Sequence, residues 1–178
     1  MLIVIDIGNT STGIALTAGE KILKIEAVAT GIRGCYEKRL TKALRAFVSE
    51  GRKAKSEKEK DQVSEILICS VVPKALTIAK GCAKKVFKTA PKVVGKDIIV
   101  PIENKYDEPK QVGQDRLVCA FAAAQLYGAP CVVVDLGTAI TFDVVSAKKE
   151  YLGGLIAPGI RLSAETLFQQ TALLPRIS

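Results

Sequence analysis

Histidine is absent from the 178-residue sequence, which removes the commonest general base at neutral pH and the commonest zinc ligand. Acid–base chemistry has to rest on carboxylates. Aromatic residues make up only 5% and are not interleaved with the basic clusters, so stacking of exposed bases has little to work with. Cysteine occurs five times, at Cys35, Cys69, Cys82, Cys119 and Cys131, never as a C-x-x-C pair. That odd, scattered set reads as buried free thiols in a reducing cytoplasm. No apolar run reaches membrane-spanning length, and the first apolar run is broken by Asp6 with no basic region before it. Neither a transmembrane helix nor a signal peptide is expected.

What is present bounds the answer further. A hydrophobic content of 48% and a mean hydropathy of +0.24 support a well-filled core. The length suits one ordinary domain or two small lobes. The net charge of +8 and pI near 9.3 could serve a polyanion. However, the densest basic stretch, residues 51–61, has acids interleaved, and a second cluster runs from Lys80 to Lys96. A solvated surface is expected rather than a nucleic-acid face.

The opening residues organise the rest. Leu2, Ile3, Val4, Ile5 and Ile7 surround one carboxylate, Asp6, a pattern that predicts a strand buried on both faces. An unpaired buried carboxylate is costly, so Asp6 is placed at the strand's end, facing a cation or water. Gly8, Asn9, Thr10, Ser11, Thr12 and Gly13 then form a polar turn before apolar residues resume at Ile14. Such a hairpin tip can offer amides and hydroxyls to a phosphate, with Asp6 beside it for a metal. A plain hairpin explains the same residues equally well.

A second copy favours the phosphate reading. Residues 131–145 repeat the scheme, and aligning Asp6 with Asp135 puts Gly8 on Gly137 and Thr12 on Thr141. Internal duplication implies two related lobes. Two such hairpins heading successive half-chains resemble the phosphate motifs of the actin-like ATPase and sugar-kinase superfamily. The resemblance implies an α/β, two-lobed, ribonuclease H-like duplication with nucleotide bound between the lobes, here residues 1–114 and 115–178.

Between the motifs, strands are predicted over 14–16, 22–29 and 66–72, with helices over 36–48 and 75–87 and short extended pieces at 93–94 and 98–100. Ser70 is expected to cap the turn before Pro73 rather than to face a ligand. Farther on, Gly113-Gln114 forms a turn and Asp115 opens a helix that Gly128-Ala-Pro130 ends. Asp115 there is either an N-cap, worth about 1 kcal/mol, or a general base beside Arg116, whose guanidinium can pair a carboxylate. Another helix is expected over 161–171.

Four motifs in series, Asp6-Ile-Gly-Asn-Thr10, Tyr106 with Pro109 and Gly113-x-Asp-Arg116, Asp135-x-Gly-Thr-Ala-x-Thr-x-Asp143, and Gly153-Gly-x-Ile-x-Pro-Gly159, resemble type III pantothenate kinases in order and spacing. The resemblance implies ATP-dependent phosphorylation of pantothenate to 4′-phosphopantothenate, in a cytoplasmic homodimer that uses Mg²⁺ and a monovalent cation, K⁺ or NH₄⁺. It implies ATP contacts from Asp6, Ile7, Gly8, Asn9, Thr10, Ser11, Thr12, Gly13 and Thr138, with Asp6 nearest the Mg²⁺. Tyr106, Gly113, Gln114, Asp115 and Arg116 would line the pantothenate site, with Asp115 as the base, and Asp135 would hold the monovalent cation. Gly153, Gly154 and Gly159 resemble an adenosine motif in which missing side chains admit the nucleotide.

Family members normally continue beyond the last predicted helix, so the second lobe is expected to be incomplete. Two other classes stay open: a non-catalytic, transcription-accessory relative, and a kinase for another small alcohol. Arg116 argues against a neutral sugar, which has no carboxylate to grip.

Overall fold

The structure is a computed structural model that describes residues 1–31, 35–53 and 63–177. The chain forms two compact units, Met1–Ile99 and Val100–Ser178. The second unit begins well before Asp115, where the sequence reading starts the second lobe, because residues 103–104 pair with a later strand of that unit.

In the first unit β1 (Leu2–Ile7), β2 (Ser11–Ala18) and β3 (Lys21–Ala29) form an antiparallel meander. After helix α1 (Tyr36–Lys53), β4 (Glu65–Ser70) joins β1 in parallel. Helix α2 (Pro73–Phe87) leads to the short β5 (Lys92–Val93), giving the order β3-β2-β1-β4-β5. The charged stretch 51–61, expected as a loop after the helix, begins inside α1, which runs to Lys53; residues 54–62 lie outside the described residues.

One expectation needs correction. β1 is buried on one face only: Ile3, Ile5 and Ile7 are fully buried, whereas Leu2 and Val4 are partly exposed and Asp6 is exposed. Side chains alternate along a strand, and the helices supply one apolar layer. Tyr36, Leu40, Leu44 and Phe47 of α1 and Ala75, Ala79, Ala83 and Phe87 of α2 pack on the isoleucine face, each at helical spacing. Asp6 therefore needs no buried counter-charge.

Ser70 behaves as its place before Pro73 predicts. Its Oγ accepts from the Val72 N–H at 3.1 Å and donates to the Val72 carbonyl at 3.3 Å. Pro73 then starts α2, where its missing N–H costs nothing.

Thr12 is a polar residue on the core face of β2, in line with Ile14 and Leu16, and is fully buried. Its Oγ1 hydrogen-bonds the Thr30 hydroxyl and the Tyr36 hydroxyl, each at 2.9 Å. The network ties the strand leaving the first turn to the end of β3 and the start of α1. Burial raises the Tyr36 hydroxyl above its ordinary pKa, while its bond to Thr12 opposes the rise.

The second unit holds β6 (Glu103–Asn104), a 3₁₀ turn (Pro109–Gln111), α3 (Gln114–Leu126), β7 (Cys131–Leu136), β8 (Ala139–Val145), β9 (Glu150–Pro158) and α4 (Ile160–Gln170). β7, β8 and β9 repeat the antiparallel meander, and β6 lies parallel to β9. The repeat is inexact at the turn. Residues 8–10 separate β1 from β2, but only 137–138 separate β7 from β8. Asp6 consequently faces Gly13, whereas Asp135 faces Thr141. Thr141 is thus the ladder equivalent of Gly13, and the alignment with Thr12 is off by one residue. A one-residue shift turns a side chain to the other face of a sheet, which is why Thr12 enters the core and Thr141 shares a face with Asp135.

β1 has β4 along its outer edge, but β7 ends its sheet, and Val132, Val134 and Leu136 on it are exposed. Cys69 and Cys82 are buried as expected, while Cys35 and Cys119 are exposed.

Tyr36→Phe removes one of the two bonds to Thr12 and should cost about 1 kcal/mol, and Thr12→Val, which orphans two hydroxyls, about 1–3 kcal/mol. Urea-denaturation midpoints measure both; equal stability of wild type and Thr12→Val would show the network to be energetically idle.

Candidate active site

In the first unit, the turn after β1 is held by its own main chain. The Gly8 N–H donates to the Ser11 carbonyl at 3.0 Å, and the Thr10 carbonyl accepts from the Thr30 N–H at 2.9 Å. Asp6, Asn9, Thr10 and Ser11 are exposed along this turn. The Ile7 and Thr12 side chains are committed to the core, so these two residues can meet a ligand only through their main chain. The arrangement offers one carboxylate beside a cluster of hydroxyl and amide groups.

In the second unit, Gly113 is the N-cap of α3, in an extended conformation without a side-chain cap bond. Asp115 is therefore not the cap but the second helical residue. Its Oδ1 is buried and has no hydrogen-bond partner. An unmet buried acceptor costs about 1–3 kcal/mol, so this oxygen is poised to take a hydrogen bond.

Arg116 follows in the same turn and crosses to the sheet. Its Nη2 lies 2.7 Å from Asp143 Oδ1, with the two side chains only 14% and 2% exposed. The same nitrogen donates to the Phe142 carbonyl at 3.1 Å, and Nε is buried without a partner. The Tyr151 hydroxyl donates to Asp143 Oδ1 at 2.7 Å, and Thr141 Oγ1 lies 3.4 Å from Oδ2. Burial, followed by the Asp143 bond and charge, pushes the Tyr151 hydroxyl far above its ordinary pKa. Arg116 thus meets a carboxylate within its own chain, so the argument that only an acidic substrate could satisfy it loses its force.

Tyr106, Val112, Arg116, Tyr151, Gly154 and Leu155 line a cleft of about 300 Å³. A larger, shallower depression of about 400 Å³ lies on α2 among Gly81, Lys84, Lys85 and Lys88, with no carboxylate in its lining.

The glycines beside this cleft make room for the protein itself. A Cβ on Gly154 would sit 1.7 Å from the Phe142 carbonyl oxygen and 2.8 Å from Arg116 Nη2. Gly154 is the cross-strand partner of Asp143, so its bare backbone leaves the lane through which the guanidinium reaches the carboxylate. Gly153, at φ +116°, has the Tyr106 ring 2.8 Å from its would-be Cβ, and Gly159 abuts the carbonyls of Gly137 and Thr138. Close packing within the chain is what requires glycine at all three.

Asp135 and Thr138 are exposed. Among the described residues no three metal-ligating side chains cluster, so any cation here would complete its shell with main-chain, water or ligand oxygens. Two residues to which the sequence reading gave no role, Asp143 and Tyr151, hold Arg116 in place. A lone carboxylate inside Phe142-Asp-Val-Val was the available signal, by the same reasoning applied to Asp6.

A family profile described as type III pantothenate kinase matches residues 2–178. The chain belongs to the type III pantothenate kinase family. It is 37% identical over 177 residues to the type III pantothenate kinase of Halalkalibacterium halodurans, covering 99% of this chain and 67% of that one. The type III pantothenate kinase of Finegoldia magna is 39% identical over 180 residues, covering 99% and 65%. The chain spans about two thirds of the length of these relatives. Among solved structures, an Aquifex aeolicus member of the Ppx/GppA family superposes with a TM-score of 0.52 at 14% identity, over 97% of this chain and 55% of that one. The ethanolamine utilization protein EutJ of Carboxydothermus hydrogenoformans gives 0.51 at 12%, over 94% and 56%. These likenesses show the fold alone: α/β of the actin-like type.

Gly154→Ala should lower the melting temperature sharply or prevent folding, whereas Gly81→Ala, with open space at its Cβ, should stabilise α2 by about 0.5–1 kcal/mol. Thermal unfolding of the pair checks the assignment; a harmless Gly154→Ala contradicts it. The raised Tyr36 and Tyr151 contribute stability that is complete below the ordinary tyrosine value near 10 and is lost as pH rises above it. Replacing both with Phe should make alkaline unfolding shallower between about pH 10 and 12; an unchanged profile would remove them as its cause.

Proposed function

We propose that the chain is an ATP-dependent kinase that phosphorylates pantothenate to 4′-phosphopantothenate, the first step of coenzyme A biosynthesis. The observation that carries this reading is the buried, unpartnered Oδ1 of Asp115 at the start of α3, in a chain of this family. A primary alcohol is a poor nucleophile, and one positioned carboxylate that accepts its proton late in transfer is sufficient. Tyr106, Gly113, Gln114 and Arg116 frame the acceptor, with the cleft beside Arg116 taking the rest of the pantothenate.

Asp6 and the turn residues Gly8, Asn9, Thr10, Ser11 and Gly13 hold the ATP phosphates, with Thr138 as a further ATP contact. Ile7 and Thr12 contribute main chain only. Mg²⁺, when bound, neutralises phosphate charge, and the exposed Asp6 fits an ion that keeps most of its shell on phosphates and water. Asp135, facing Thr141 across its hairpin, fits a monovalent cation, K⁺ or NH₄⁺. The working form is a cytoplasmic homodimer. Among the described residues no helix is long and apolar enough to cross a membrane, and free thiols suit a reducing compartment.

The test is ADP release by the purified chain with ATP, Mg²⁺ and pantothenate, with K⁺ exchanged for Na⁺ in parallel. Pantothenate-dependent release, faster in K⁺, is expected, and Asp115→Asn should lower kcat about 10²–10⁴-fold with the fold intact. Wild-type turnover by Asp115→Asn would overturn the base assignment.

A further inference from the structure

We propose that Asp143, itself held by Tyr151, is the positioning residue that fixes the Arg116 guanidinium against the acceptor cleft. The inference rests on the pantothenate reading for its ligand and on the geometry alone for its mechanism. Arg116 is the only residue of the Gly113–Arg116 turn whose side chain is bonded to the sheet in this way, and three groups converge on the carboxylate that holds it. Nη2 lies 2.7 Å from Asp143 Oδ1, the Tyr151 hydroxyl donates to that same oxygen at 2.7 Å, and Thr141 Oγ1 approaches Oδ2 at 3.4 Å. Gly154, directly across from Asp143, vacates the path.

The consequence is directional. A guanidinium is planar, so fixing Nη2 at Asp143 and at the Phe142 carbonyl also fixes where Nε points. Nε carries the one buried N–H of this group without a partner, and the neighbouring residue carries the unpartnered acceptor Asp115 Oδ1. Arg116 lines the cleft with Tyr106 and Tyr151, so the orientation that Asp143 fixes decides which of its N–H groups a ligand acceptor there meets. Asp143 touches none of the reacting atoms; it acts through Arg116, and Tyr151 acts through Asp143.

A merely structural ion pair would alter stability and leave ligand affinity alone. The test therefore combines Asp143→Asn with Tyr151→Phe, which removes a single hydroxyl and keeps the ring. In ¹⁵N-labelled protein the Arg116 Nε–Hε resonance, assigned by its loss in Arg116→Lys, should exchange with water slowly in wild type and at least about tenfold faster in both variants. The KM for pantothenate should rise about tenfold or more, with kcat changing by less than about threefold and the KM for ATP unchanged. Unchanged Arg116 Hε exchange in Tyr151→Phe, or a kcat loss with unaltered KM, would overturn the proposal. Failure of the wild type to phosphorylate pantothenate would overturn the functional reading instead, while the Hε exchange would still decide whether Asp143 positions Arg116.

Discussion

The ion pair between Arg116 and Asp143 is the contact around which the second unit is arranged. Two opposite charges, both nearly excluded from water, lose several kcal/mol each in hydration, and only good geometry with further hydrogen bonds recovers that cost. Tyr151, Thr141 and the Phe142 carbonyl supply the bonds. The pair spans α3 and β8, and Gly154 on β9 is constrained by it. Removing either charge would leave the other buried alone, a loss of about 3–5 kcal/mol in comparable pairs. The residue before Arg116 is Asp115, so the link that secures the sheet to the helix also sets the orientation of the turn proposed to carry the chemistry.

The first unit solves the same problem without charge. Its hairpin is one residue longer at the turn, which rotates Thr12 inward, and neutral hydroxyls of Thr30 and Tyr36 satisfy it. The turn is thereby anchored from beneath while Asp6, Asn9, Thr10 and Ser11 stay exposed. Two copies of one strand–turn–strand scheme have diverged into a neutral anchor under a polar turn and an ionic anchor behind a helix.

Much of this was legible in the residues. The first meander, α2 after Pro73, α3 after Gly113 and the duplicated hairpins follow from periodicity and turn chemistry that act locally, whereas β9, which completes the second meander, does not. The one-faced burial of β1 was not, because a near-continuous apolar run does not tell which side a helix layer will cover. The register of the second hairpin was misread because a one-residue shorter turn leaves the spacing of the Asp and Gly residues intact. Of the two readings of Asp115, cap or base, the first falls because Gly113 takes the cap. Asp143 appears in a quoted motif without a role and Tyr151 not at all, because their partners are distant in sequence, and crowding by Tyr106, Phe142 and Thr138 accounts for the glycines at 153, 154 and 159.

The central claim is that pantothenate binds at the start of α3, its hydroxyl on Asp115 and its remainder beside an Arg116 held by Asp143. A crystal structure of the chain with pantothenate and a non-hydrolysable ATP analogue tests it most directly. The account predicts the primary hydroxyl of pantothenate within hydrogen-bond distance of Asp115 Oδ1, with an acceptor of the same molecule on Arg116 Nε and the Arg116–Asp143 pair intact. Pantothenate bound away from the start of α3, or Asp115 Oδ1 satisfied by the protein itself in that complex, would contradict it.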